Sequence, residues 1–164
     1  MRICLLRHGP AVPRGSGGVE DDARPLTPEG RARVRAAARG MRALGLGIDV
    51  LWTSPLPRAL QTAEILAKDL GLGEPRLTEH LRPEASTSGF ARLLREARGD
   101  CPAFVGHEPG LGELVAFLTG ARPDAFPIKK AGLAVLEITR AGAKPLAELR
   151  LLLTPRVLRA LGRR

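Results

Sequence analysis

Three short segments hold residues whose chemistry is hard to explain as plain surface. "LLRHGP" (residues 5–10) sets Arg7 and His8 side by side after an apolar run, and Gly9 and Pro10 stop that run. "SPLPRALQTA" (residues 54–63) carries Arg58 four positions after Ser54. "VGHEPGL" (residues 105–111) ends a further apolar run on His107. Two guanidinium and two imidazole groups repel one another unless an anion lies between them. Arginine's planar fork suits the oxygens of phosphate. A helix N-terminus adds unpaired N–H groups and a positive dipole end. A neutral imidazole, with an ordinary pKa of about 6.5, is a competent nucleophile near pH 7. Neighbouring arginines favour that neutral form, because like charge disfavours protonation. The chemistry these groups would perform together is phosphoryl capture and transfer through a histidine. Each also has a plainer reading. Arg7 alone is a surface arginine, Arg58 an exposed helix residue paired with Glu64 or another acid, and His107 a capping or loop residue. His80 has nothing around it in the sequence that points to chemistry.

The elements that would position these groups follow from periodicity. Residues 1–7 read as a strand apolar on both faces. Residues 9–26 are rich in Gly, Pro and charge and read as a long loop, a length that in compact domains usually serves function. Thr27-Pro28-Glu29 opens a helix, with Val34, Ala37, Ala38 and Met41 on one face and Gly45 or Gly47 at its end. Residues 48–53 read as a second strand. Ser54-Pro55 is expected to cap a helix whose inner face is Leu56, Ala59, Leu60, Ala63, Leu66 and Leu70, stopped by Gly71. Residues 75–81 form a connection or short strand, and Phe90, Leu93, Leu94 and Ala97 mark a third helix. Residues 103–105 form a third strand, and Pro109 starts a fourth helix with Leu111, Leu114, Val115 and Leu118. After a loop over 120–130, residues 132–139 and 147–153 read as a hairpin turning across "RAGAKP". Residues 154–161 form a closing helix. Alternating strands and helices predict an α/β three-layer sandwich: one domain over residues 1–164, with a mostly parallel central sheet covered on both faces. Ligands of such sheets bind beyond the carboxyl ends of the strands. The ends carrying Arg7-His8, Ser54 with Arg58, and His107 would share that edge.

The bulk of the chain sets limits. Its 164 residues, 44% hydrophobic and 26% charged, suit a folded domain with a sizeable core. No apolar run approaches the roughly 20 residues that span a bilayer, so no membrane partner and a cytoplasmic location are expected. The apolar start is too short for a signal peptide. Cys4 and Cys101 read as free thiols acting as small hydrophobes. The three histidines and two cysteines show no metal-ligand spacing, so neither metal nor cofactor is expected. A net charge of +9 fits an anionic partner. Nucleic acid is disfavoured, because four Phe, one Trp and no Tyr give little to stack on bases. A monomer is expected.

"LLRHGP" resembles the signature of the histidine phosphatase superfamily, the phosphoglycerate-mutase-like group in which Arg-His-Gly closes the first strand. "LTPEGR" (residues 26–31), "SPLPRALQTA" and "VGHEPGL" resemble three further segments of that family, in the same order. With its short length and lack of large insertions, the chain is most similar to the compact SixA branch, the phosphohistidine phosphatases. The resemblance implies a metal-independent phosphatase in which His8 is the nucleophile and forms a transient phosphohistidine. It also implies that Arg7, Arg58 and His107 hold the phosphoryl oxygens. The substrate it implies is a phosphorylated protein carrying phosphohistidine. Alternatives are a small phosphate ester as substrate, or a non-catalytic phosphate- or polyanion-binding module. Ester cleavage commonly needs a carboxyl acid, for which Glu79 and Glu84 are the candidates. Glu108 is expected to cap its helix, and Lys129 and Lys130 to be exposed loop lysines that border the cleft at most.

Overall fold

The computed structural model describes residues 1–142 and 145–163. Six strands form one sheet: β1 (Arg2–Arg7), β2 (Val50–Thr53), β3 (Arg76–Leu77), β4 (Pro102–Gly106), β5 (Leu133–Arg140) and β6 (Leu146–Leu153). Five α-helices accompany them: α1 (Pro28–Ala43), α2 (Pro57–Leu70), α3 (Thr87–Glu96), α4 (Gly110–Thr119) and α5 (Pro155–Leu161). Strand order is β3-β2-β4-β1-β5-β6. The first four strands in that order are mutually parallel, whereas β5 runs antiparallel to β1 and to β6. Of the expected turn "RAGAKP", residues 143 and 144 lie outside the described residues.

The unbroken apolar character of the central strands has a direct cause. Successive side chains alternate between faces, and both faces are covered. Cys4 and Leu6, Ala103 and Val105, Leu133 and Val135 pack on the side of α1, α2 and α5, against Val34, Met41, Ala63, Leu66 and Leu158. Ile3 and Leu5, Phe104, Ala134 and Leu136 pack on the other side, against Phe90 and Leu93 of α3 and Leu111, Val115 and Leu118 of α4. Phe90 meets Phe104 edge-on, ring centroids 5.1 Å apart. Among the described residues no helix is long and apolar enough to cross a membrane.

Local signals fix most boundaries. The Thr27 hydroxyl accepts the Gly30 N–H at 2.9 Å, with Pro28 in the first turn of α1. Gly71 and Gly120 close α2 and α4 in the left-handed region, which glycine adopts without steric cost. Ser54-Pro55 does not cap α2. That helix begins at Pro57, behind Leu56. The Ser54 hydroxyl is engaged elsewhere: it accepts the Leu56 N–H at 3.3 Å and meets the His107 ring at 3.0 Å. The loop over 9–26 is also more ordered than its composition indicates. It contains a 3-10 turn at Asp21–Ala23 and a bridge between Ala11 and Leu26.

Candidate active site

Register between parallel strands brings the chemistry together. Arg7 of β1 lies opposite Gly106 of β4, and Thr53 of β2 opposite Val105. The next residues in each chain direction, His8, Ser54 and His107, therefore leave the same edge of the sheet. The His8 N–H bonds to the Gly106 carbonyl and the Ser54 N–H to the Val105 carbonyl, each at 3.0 Å, carrying the ladder one step further. The His8 and His107 rings come to lie 5.0 Å apart, tilted by 55°. Both histidines, Ser54 and Arg58 are buried, Arg58 to 2% exposure.

The tautomer of His8 is set by its neighbour. Its Nδ1 lies 2.7 Å from the Gly9 carbonyl. A carbonyl only accepts, so Nδ1 carries the proton and the lone pair is on Nε2. Burial, reinforced by the positive charges of Arg58, Arg7 and Lys130, pushes the His8 pKa down to about 3. Burial, together with His8 and the arginines Arg58, Arg7 and Arg82, takes His107 down to about 2. Both rings are neutral near pH 7.

The two arginines are anchored through one part of the guanidinium and unpaired at another. Arg7 donates from Nη1 to the Ile128 carbonyl at 3.0 Å. Arg58 donates from Nη1 to the Asp21 carbonyl at 2.8 Å, and its Nη2 lies 3.7 Å from the Asp21 carboxylate. The pairing with Glu64 contemplated from sequence is thus replaced by one with Asp21, because Arg58 is on the buried face of α2. The Nε atoms of Arg7 and Arg58 and the Nδ1 of His107 are buried without a partner. Three of the four such side-chain atoms among the described residues belong to this cluster. Buried polar atoms are ordinarily satisfied, so these three are open to a further partner.

The signature glycines have steric reasons. A Cβ on Gly30 would stand 1.9 Å from the Pro10 carbonyl oxygen, and one on Gly9 would stand 2.6 Å from the Val34 side chain. The start of α1 therefore packs directly on the chain leaving His8. From α2, the Thr62 hydroxyl accepts the Gly9 N–H at 3.0 Å and donates to the Arg58 carbonyl at 2.7 Å. Gln61 accepts the Leu26 N–H at 2.9 Å. On the far side, the Ala131 N–H is shared between the Arg7 and His8 carbonyls, with Ala131 at a φ of 59°.

The remaining candidates separate clearly. Lys129 and Lys130 are both exposed, and Lys130 also stands within electrostatic reach of His8 and Arg7. Glu108 follows His107 and precedes Pro109, the N-cap position of α4. Its carboxylate meets the Gly112 N–H in the first turn of that helix, as expected of a capping residue, and burial pushes its carboxyl above the ordinary range. The Glu108 carboxylate accepts the Ile128 N–H at 2.8 Å and so holds the residue whose carbonyl anchors Arg7. Glu79 and Glu84 both face Arg82, at 3.6 and 2.5 Å, and both are largely exposed. The bond from Arg82 holds the Glu84 carboxyl below its ordinary range. Sequence reasoning missed Arg82 itself, which pairs with Asp22 at 2.6 Å across 60 residues. It also missed Asp21, Thr62 and the hydroxyl of Ser54. His80 lines a hollow beside His107 together with Arg82 and Ser86, a placement its sequence neighbours do not reveal.

Comparison with known proteins places this arrangement. The profile described as histidine phosphatase superfamily (branch 1) matches residues 3–86. An uncharacterized protein of Picosynechococcus sp. is 40% identical over 148 residues, 87% of each chain. A 2,3-bisphosphoglycerate-dependent phosphoglycerate mutase of Methylobacterium radiotolerans is 45% identical over 72 residues, 43% of this chain and 34% of that one. Among solved structures, the protein histidine phosphatase SixA complexed with tungstate superposes with a TM-score of 0.83 at 25% identity, over 96% of this chain and 99% of that one. The phosphoserine phosphatase of Entamoeba histolytica, in complex with 3-phosphoglyceric acid, shares the fold at a TM-score of 0.73 and 19% identity, over 96% and 98%. The chain belongs to the histidine phosphatase superfamily (branch 1) and is a phosphatase of its compact, SixA-like form.

Proposed function

We propose that the protein removes the phosphoryl group from phosphohistidine side chains of a partner protein, through a phosphohistidine formed on His8. The observation that carries this reading is the state of His8: Nδ1 is committed to the Gly9 carbonyl, and the ring is buried and neutral beside Arg7, Arg58 and His107. In the first step Nε2 of His8 attacks phosphorus. The P–N bond to the substrate imidazole breaks, its electron pair stays on the departing nitrogen, and the ring leaves neutral because its other nitrogen carries a proton. Arg7, Arg58 and His107 supply donors to the phosphoryl oxygens, where fixed dipoles lower the barrier most effectively. In the second step water attacks the phosphorus held on Nε2. The P–N bond to His8 breaks, the lone pair returns to Nε2, and the water proton leaves with inorganic phosphate.

The choice of a phosphoramidate over an ester rests on the carboxylates. An alkoxide leaves poorly without a proton, and a general acid works best with a pKa near the operating pH. Glu79 and Glu84 are instead exposed and occupied by Arg82, with Glu84 shifted the opposite way. A phosphohistidine ring with a proton on its distal nitrogen leaves as neutral imidazole and makes no such demand on the enzyme. The likeness to the protein histidine phosphatase SixA supports the same substrate class. A second reading, a small phosphate ester, draws on the hollow beside His107, where His80, Arg82 and Ser86 offer polar groups to an alcohol moiety.

Rapid acid-free quenching during turnover of a phosphohistidine peptide should trap one phosphoryl group on His8, absent in His8→Ala. Normal turnover by His8→Ala ends the reading. Parallel assays on a panel of phosphate esters separate the substrates. Faster ester hydrolysis that collapses in Glu79→Gln or Glu84→Gln would favour the second reading. Soaking with tungstate should place one oxyanion against Arg7, Arg58 and His107.

A further inference from the structure

A groove of about 510 Å³ runs between α1 and α5, and the catalytic chemistry leaves it unexplained. Ala32, Ala36 and Pro155 give it apolar surface, and Arg33, Arg39, Arg156 and Arg159 line it with exposed guanidinium groups. Arg33 is paired with Glu29 at 2.6 Å. Among the described residues, Arg39, Arg156 and Arg159 have no hydrogen bond or ion pair in the chain. α1 and α5 are locked together at this point, since a Cβ on Gly40 would stand 2.2 Å from the Leu158 carbonyl. The groove is thus a rigid cationic surface on which three of the four guanidinium groups are unpaired and the fourth is held by Glu29.

Its near end adjoins the active site. Glu29 lines the groove, and the next residue, Gly30, packs on the backbone of Pro10, two positions after His8. Lys130 lies within electrostatic reach of Arg33 on one side and of Arg7 and His8 on the other. The ten helical steps from Glu29 to Arg39 cover about 15 Å, which an extended segment of about five residues would span.

Three occupants compete for such a surface. Nucleic acid finds no stacking platform, because no aromatic residue lines the groove. A second copy of this chain has both aspartates of its acidic run at residues 20–22 already engaged: Asp21 holds Arg14 and Arg24 and lies against Arg58, and Asp22 holds Arg82. An acidic segment of another protein matches the planar arginine forks, each suited to a carboxylate. We propose that the α1–α5 groove docks an acidic segment of the phosphorylated protein whose side chain enters the His8 pocket. The identity of that protein as the substrate rests on the function proposed above; the binding of an acidic segment does not.

Two measurements keep these apart. A labelled hexaglutamate peptide, followed by fluorescence anisotropy at low salt, should bind the intact protein and bind the triple variant Arg39→Glu/Arg156→Glu/Arg159→Glu at least about tenfold more weakly. The Arg→Gln version of the triple variant should fall between them, with thermal melts confirming that both are folded. Equal binding to all three proteins overturns the groove. An oligonucleotide that binds more tightly than the peptide, and is lost in the same variants, overturns the choice of partner. In the second measurement, a phosphohistidine peptide bearing a glutamate tract should be hydrolysed with roughly tenfold higher kcat/KM than one bearing a serine tract. The triple variant should lose that preference while free phosphoramidate is turned over within about twofold of the intact rate. No preference in the intact protein breaks the link between groove and active site. Peptide binding lost in the variants, with no phosphohistidine turnover in the intact protein, removes the proposed substrate and leaves an acidic-segment site.

Discussion

At the scale of single residues, orientation and charge do separate work in the pocket. Arg58 is anchored by the Asp21 carbonyl through one nitrogen and leaves a buried Nε unpaired. A lysine there would keep the charge but present no fork, so Arg58→Lys is expected to lower kcat/KM by about 100-fold, within the range for loss of an oriented donor. A loss under fivefold in steady-state assays would mean that charge alone suffices. The protonation state of His8 gives a second expectation. With a pKa of about 3 it stays the neutral nucleophile well below pH 6. Once substrate ionisation is allowed for, kcat/KM should therefore show no inflection near pH 6.5 in the folded protein. An acidic limb with an apparent pKa close to the ordinary imidazole value would show that burial does not hold His8 neutral. The sequence made Arg7, His8, Arg58 and His107 readable because each sits next to a strand end or in a helix's first turn. Asp21 and Arg82 have local partners too, but the pairings that tie them to Arg58 and Asp22 cross 37 and 60 residues, and no local pattern encodes such a pairing.

At the scale of elements, the site is held by how α1 and α2 clamp the segment after β1. Gly30 lets α1 approach Pro10, and Thr62 of α2 takes the Gly9 N–H. Gly30→Ala would force a methyl into backbone 1.9 Å away. It should destabilise by about 1–3 kcal/mol, as overpacking does, and should lower activity by displacing His8. Gly110, in the first turn of α4, has open space around the point where an added Cβ would stand, with nothing within 4 Å. Gly110→Ala should therefore be neutral or stabilising by up to about 1 kcal/mol. Urea melts of the two variants check the contrast, and equal effects would discard the steric account. Strands and helices were legible here because burial on both faces of the sheet leaves unbroken apolar runs, and amphipathic helices repeat at 3.6 residues. The start of α2 was not. Ser54 has the chemistry of a helix cap, and only the fold reveals that His107 claims its hydroxyl.

At the scale of the whole molecule, a phosphate pocket stabilises the protein only when it is filled or uncharged. His8 and His107 have folded pKa values near 3 and 2, whereas unfolded imidazole titrates at about 6.5. Above that value neither state binds these protons, and the two histidines exert no pH-dependent pull. As pH falls through about 6.5 the unfolded chain takes up protons that the folded chain refuses. Stability is therefore lost with falling pH, at up to about 1.4 kcal/mol per pH unit for each histidine, until the folded values are approached. Carboxylates contribute mainly below about pH 5, so the window from 6.5 to 5 belongs to the imidazoles. For a chain of this size, two histidines correspond to a fall in Tm approaching roughly 5–10 °C per pH unit. His107→Gln should halve that slope, since it removes one of the two groups. Inorganic phosphate at about 100 times its Kd should add about 2.7 kcal/mol to the native state and raise Tm in the intact protein, and should do so far less in Arg58→Ala. A Tm flat from pH 6.5 to 5, or a phosphate effect undiminished by loss of Arg58, would show that these four side chains do not form one buried anion seat.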